Sequence, residues 1–235
     1  MKNRQIQNLS YVAMYIALYV ILKFIGNLIP FLQMPNGGSI ELELIAVFIA
    51  SYHLGWKTGG VIAILSWLIT WILGFPMWYV HPVQIFLDYV GPLLVCGLAS
   101  ALWWVKNNNN TIQIVMSVLM AAAAFFGIMN SYTSSAALIM IAVLAALAVF
   151  AFNYYYLKND GKYGIVIAML LKYFLQVLSG VYYWFPEGSY AGSAASWAFS
   201  LGYNLWYNLV TMVICVVVVP ELIRRLKQAN VTFIA

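Results

Sequence analysis

Apolar stretches of about 18 residues or more recur along the whole chain, separated by short breaks rich in Gly, Pro, Asn and charge. Each stretch is long enough to cross a hydrocarbon core of ~30 Å as a helix. Reading the runs against their breakers predicts eight helices, at about 9–30, 40–55, 59–74, 82–105, 112–130, 135–157, 163–184 and 196–223. The second and third are short for full spans and are expected to be tilted, partly re-entrant or buried against other helices. The first run is too long for the apolar part of a signal peptide and lacks a small-x-small cleavage site, so it reads as a membrane span. The expected fold is all-α, a polytopic membrane helical bundle forming a single integral membrane domain over residues 1–235.

Composition strengthens this reading. Hydrophobic residues make up 65% of the chain and charged ones 7%, far from the roughly 25% charge of a soluble domain, and mean hydropathy is +0.90. Lys2, Arg4, Lys57, Lys106, Lys158, Lys162, Arg224, Arg225 and Lys227, nine of eleven basic residues, fall on one side of the eight-helix arrangement. By the positive-inside rule that side is the cytoplasm, which places both termini inside a multi-pass cell-membrane protein. Topology accounts for the net charge of +5, so no nucleic-acid partner is expected. Cys96 and Cys215 both fall within spans, without metal-ligand spacing, and read as packing residues.

Three loops on the opposite side, "PFLQMPNGGSIELE" (30–43), "GFPMWYVHP" (74–82) and "FPEGSYAGSAAS" (185–196), carry Gly, Pro, rings and acidic charge. Such loops form a lid or mouth, or are ordinary turns with interfacial aromatic residues. A fourth, "NSYTSS" (130–135), is short and bland.

Asp88 lies about six residues into the helix that Pro82 opens, roughly 9 Å below its end at 1.5 Å per residue. An acidic residue at a helix centre costs on the order of 2.5–3.5 kcal/mol on insertion scales and usually faces a cavity or a partner. Gln84 stands four residues earlier on the same face and Tyr89 follows directly. The alternatives for Asp88 are an ion pair with Lys172 or Lys23, or protonation. In the seventh helix Lys172, Gln176, Gly180 and Trp184 recur every fourth residue, so one stripe carries polar groups, a gap and a ring. It reads as a pocket wall, although Ser179 and Gly180 equally suit close helix packing and Trp184 an interfacial belt. In the last helix Ser200, Asn204, Asn208 and Thr211 form another polar stripe beside Phe199, Tyr203 and Tyr207. It must face other helices or water, for interhelical hydrogen bonds or for a ligand.

Together these groups offer one anion, several neutral hydrogen-bonding groups and many rings, which suits a flat, polar, cationic ring system. Acyl-transfer elbows, zinc-binding helix motifs and Walker sequences are missing, and His53 and His81 fall at opposite faces of the membrane. An enzyme is not expected. Neither a cofactor nor a metal site is expected, and active uptake would need a partner ATPase.

The segments "GGSIELELI", "LGWKTGG", "HPVQIFLDY", "LSGVYYWFPEG" and "SLGYN" occur in that order. In them the chain resembles the thiamine-specific substrate-binding (S) components of energy-coupling factor vitamin transporters, over most of its length apart from roughly 107–160. The resemblance implies a six-helix core with two extra helices, 107–160 being an inserted pair. It implies partnership with a transmembrane coupling protein and two ATPase subunits. It also implies a thiamine pocket formed by Asp88, Tyr89, Trp184 and Asn204, beneath a lid at about Phe31 to Ser39 that includes Gln33, Gly37 and Gly38. The coupling-protein contact would be the small-residue pair Ala13 and Ala17 in "AMYIA", which flattens a helix face for close approach; internal packing is the alternative.

Three positions depart from the family pattern: Asp88 stands for a glutamate, Gln176 for a histidine and Phe199 for a tyrosine. Thiamine is the expected ligand, with Gln84, Gln176 and Phe199 completing the pocket. The rivals are an S component for another vitamin or precursor such as hydroxymethylpyrimidine, an intramembrane enzyme acting on lipid with Asp88 and Lys172 as acid and base, and a purely structural subunit.

Overall fold

Helices form where the apolar runs lie, and they stop at residues that cannot continue them. The computed structural model describes residues 2–34, 37–102, 110–129, 136–156 and 162–233. Helix α1 is Lys2–Leu28, α2 Leu44–Leu54 and α3 Trp56–Ile72. The expected single helix at 82–105 is instead composite: α4 runs Pro82–Ile85, passes through a π-helical turn at Phe86–Val90 and resumes at Gly91–Gly97, with a 3-10 turn at Ala99–Leu102. Then come α5 (Asn110–Met129), α6 (Ala136–Ala151, ending in a π-helical turn at Phe152–Tyr156), α7 (Gly164–Tyr183) and α8 (Ala194–Gln228). Lys106, Lys158, the 130–135 loop and the ends of the proposed insertion lie outside the described residues.

Local chemistry accounts for the boundaries. Gly55, at φ 84°, supplies the left-handed residue that turns α2 into α3. Pro82 opens α4 at the position where a missing N–H costs nothing, behind His81, whose Nδ1 accepts from Val83 N at 3.2 Å. Ser193 caps α8 by accepting from Ser196 N at 3.2 Å.

The shortness of α2 has a physical cause. Leu44, Ala46, Val47, Phe48 and Ala50 are fully buried, because α2 is enclosed by α1, α3, α4 and α8. A helix apolar on all sides is a core helix. Its start at Leu44, four residues later than expected, leaves residues 40–43 as a non-helical link whose carboxylates reach the neighbouring helices. Helices α3 and α4 meet backbone to backbone: a Cβ at Gly97 would lie 2.5 Å from the Gly59 carbonyl oxygen. Helix α7 packs between α4 and α8, while α6 lies on α5, which in turn leans on α8.

Ile6–Leu28, Ala136–Tyr155 and Gly164–Tyr183 are long and apolar enough to cross a membrane, and the chain is an all-α membrane bundle. At one end Lys162 lies over the Tyr52 ring, and His53 meets Tyr11 and Phe233. At the other, the link at 40–43 and the 73–81 loop meet Asp88 and its neighbours around a hollow.

Candidate functional site

Proline at position 92 has no N–H to return to the Asp88 carbonyl, so the α-helical register fails there. Gly91 N–H reaches back five residues to Phe86 O, and Asp88 and Tyr89 sit in the widened turn, a distortion common at functional sites. Asp88 Oδ2 accepts a 2.6 Å hydrogen bond from Ser179 Oγ on α7. Tyr89 pins the 73–81 loop: its hydroxyl accepts from Trp78 N at 2.7 Å and donates to Trp78 O at 3.2 Å. Gln84 Oε1 accepts from Val80 N at 2.8 Å in the same loop.

Asp88 and Tyr89 line a hollow whose other walls carry Glu41, Glu43, Lys23 and Lys172 together with the rings of Tyr19, Trp67, Trp71 and Phe75. The carboxylate is therefore not solitary, as its place in the sequence suggested. Lys23 Nζ lies 2.7 Å from Glu43 Oε1, and Lys172 Nζ 3.0 Å from Glu41 Oε2. With every group ionised, three carboxylates face two ammonium groups, and one negative charge remains. Both lysines are engaged by glutamates, so the ion pair considered for Asp88 does not form; among the described residues no cation lies within ion-pair distance of it.

Lys172, 1% exposed, also donates to Gln176 Oε1 at 3.0 Å and Asn208 Oδ1 at 2.9 Å. Asn208 Nδ2 donates to Gln176 Oε1 and to Asn204 O. The Tyr207 hydroxyl donates to Asn204 Oδ1, and Glu41 N donates to Thr211 Oγ1 at 3.1 Å. The polar stripes of α7 and α8 thus form one network, which supports the interhelical reading of those amides and ends at the wall of the hollow.

The first loop folds back on itself. Gln33 bridges to Ser39, and Gly37 and Gly38 adopt φ of 92° and 84°. Tyr203 Oη donates to Gly37 O at 2.6 Å and Trp206 Nε1 to Met34 Sδ at 2.7 Å. Gly38 packs so near Tyr207 that a Cβ there would lie 3.0 Å from the ring. Phe31 remains exposed at the tip of the preceding turn. Positions 35 and 36 of this loop lie outside the described residues.

Of the residues singled out by sequence, Asp88 and Tyr89 line the hollow, with Gln84 buried one turn from Asp88. Gln176 and Asn204 lie in the network behind Lys172. Trp184 is 43% exposed at the end of α7, and Phe199 stacks on Tyr203 with ring centroids 5.8 Å apart; neither lines the hollow. Ala13 and Ala17 lie on the exposed face of α1. Sequence reasoning missed Glu41, Glu43, Trp67 and Trp71 as wall residues. The signals were present: two of only six acidic residues stand two apart before a helix, and two tryptophans stand four apart.

The hollow is partly open and its cavity volume is about 50 Å³, room for a few waters and too little for a two-ring vitamin. A ligand of that size would have to displace part of the wall.

The profile of the family described as "Thiamine transporter protein (Thia_YuaJ)" matches residues 9–231. A relative from Bacillus subtilis (strain 168), "Thiamine transporter ThiT", is 31% identical over 99 residues, which is 42% of this chain and 50% of the relative. The alignment thus spans about half the length of that relative.

Proposed function

This chain belongs to the thiamine transporter protein family, and on that premise we propose that it captures thiamine from outside the cell and delivers it inward without chemistry on the ligand. One observation carries the reading: Asp88 is the charge left over when Lys23 and Lys172 have each taken a glutamate. A thiazolium ring brings one positive charge. A carboxylate and aromatic faces in a desolvated hollow favour such a cation by ~2 kcal/mol or more.

Asp88 would meet the charged or amino-bearing ring, Tyr89 and Trp184 would stack, and Gln176 and Asn204 would hydrogen-bond, with Gln84 and Phe199 completing the wall. The small volume of the hollow and the exposure of Trp184 support a closing step, in which the lid and the α7–α8 end reseat around the vitamin. The basic end, with both termini, would face the cytoplasm. A membrane coupling protein and two ATPase subunits would supply the energy, docking on the α1 face at Ala13 and Ala17. The α5–α6 pair would be an insertion on a six-helix core, consistent with α6 packing on α5 at the bundle's edge.

Thiamine titration of the purified protein, followed by intrinsic tryptophan fluorescence, tests the reading. Quenching at micromolar ligand or below is expected, with Asp88→Asn weakening binding by about tenfold or more. No quenching with thiamine, or stronger binding of hydroxymethylpyrimidine, would remove thiamine as the ligand.

A further inference from the structure

Serine inside a helix usually turns its hydroxyl back on its own backbone. Several hydroxyls here do so: Ser10 Oγ donates to Ile6 O at 3.0 Å, Thr70 Oγ1 to Ser66 O at 3.1 Å and Thr211 Oγ1 to Tyr207 O at 2.7 Å. Ser179 behaves differently. Fully buried on α7, it spends its only donor on Asp88 Oδ2 at 2.6 Å, the length of a hydroxyl bond to a charged oxygen.

The next residue explains why Ser179 faces that way. A Cβ on Gly180 would land on Ser200 Oγ, and Ser200 Oγ itself donates to Val177 O at 2.8 Å. Glycine lets α8 lie directly against α7, and that contact fixes the rotation of α7 about its axis. Ser179 is thereby turned to α4. The Asp88 side chain is short and hangs from a π-helical turn, a distortion frequent at functional sites. A bond to one carboxylate oxygen from a neighbouring helix limits how the group can turn toward the hollow that it lines.

We infer that Ser179 is a positioning residue, whose hydroxyl holds the Asp88 carboxylate in the orientation that receives a cationic ring. The inference rests on the ligand-binding reading above and extends it to a residue that the sequence suggests only for helix packing. Ser179 acts through the charge on Asp88, so its contribution depends both on that charge and on the charge of the ligand.

The test is a double-mutant cycle on the purified full-length protein: wild type, Ser179→Ala, Asp88→Asn and the double variant. Each is titrated with thiamine and with a neutral analogue carrying an uncharged aromatic ring in place of the thiazolium. Ser179→Ala is expected to weaken thiamine binding about tenfold, to leave the neutral analogue within about twofold, and to add nothing on top of Asp88→Asn. Ser179→Thr, which keeps the hydroxyl, should retain most of the affinity. The inference is overturned if Ser179→Ala weakens both ligands equally or adds its full effect to Asp88→Asn, because both results describe packing alone.

A ligand-free readout separates this inference from the thiamine reading. The carboxylate stretching band identified by its loss in Asp88→Asn should shift in Ser179→Ala and return toward the wild-type position in Ser179→Thr. An unmoved band defeats the positioning role even where thiamine binds. A shifted band in a protein that ignores thiamine supports the positioning role and removes thiamine as the ligand.

Discussion

Lys172 Nζ and Glu41 Oε2 stand 3.0 Å apart, with the lysine side chain 1% exposed. The ammonium donates hydrogen bonds to Gln176 Oε1 and Asn208 Oδ1 and is paired by charge with the Glu41 carboxylate. The pair ties the link between the first loop and α2 to α7, and through Asn208 to α8. Such a pair is costly to break, because the surviving charge stays buried without a partner. Lys172→Met should therefore destabilise the protein by ~3–5 kcal/mol, and removing both charges with Glu41→Gln/Lys172→Met should restore much of that loss. Thermal unfolding in detergent measures both variants. If Lys172→Met melted like the wild type, the ion pair would not be part of what holds the 40–43 link in place.

Much of this fold is legible in the sequence because the bilayer imposes it. Among the described residues the eight apolar runs lie in eight helices, one of them composite, while the sidedness of nine of the eleven basic residues remains a reading of the sequence. The two basic residues that the rule leaves over, Lys23 and Lys172, stand at the hollow. Asp88 is conspicuous in sequence because it interrupts an apolar run. Glu41 and Glu43 are harder to read because they sit beside a predicted loop, where acidic residues are ordinary, and only the late start of α2 sends them inward. The π-helical turn within α4 follows from a single proline. The stripes on α7 and α8 are visible as periodicities, yet periodicity does not say which turn of a stripe faces space and which faces a neighbouring amide. Gln176 and Asn204 share their stripes with Trp184 and Phe199, and the two kinds of residue occupy different surroundings.

Trp184 is 43% exposed at the end of α7, so its environment is free to change on binding. If it closes over the vitamin, acrylamide should quench its emission readily without ligand and poorly with it. Trp184→Phe should remove that ligand-dependent protection from the signal of the remaining eight of nine tryptophans, and weaken binding by about tenfold through loss of the indole face. Equal acrylamide quenching with and without saturating thiamine would show that Trp184 stays at the surface and that the vitamin sits elsewhere.

The first loop, proposed as a lid, makes a kinetic prediction. Its hold on α8 includes the 2.6 Å bond from Tyr203 Oη to Gly37 O and the packing of Gly38 against Tyr207. Removing one neutral hydrogen bond is worth ~0.5–1.5 kcal/mol, and affinity changes in a preformed contact fall mainly on dissociation. Tyr203→Phe should then release thiamine about two- to tenfold faster, with little change in association. Gly38→Ala should act more strongly, since its φ of 84° disfavours an L side chain and the added Cβ would press on the Tyr207 ring at 3.0 Å. Stopped-flow tryptophan fluorescence resolves the two rates. Wild-type dissociation in both variants would mean that the loop is not the barrier to release, and the gate would have to be sought in the 73–81 loop that Tyr89 holds.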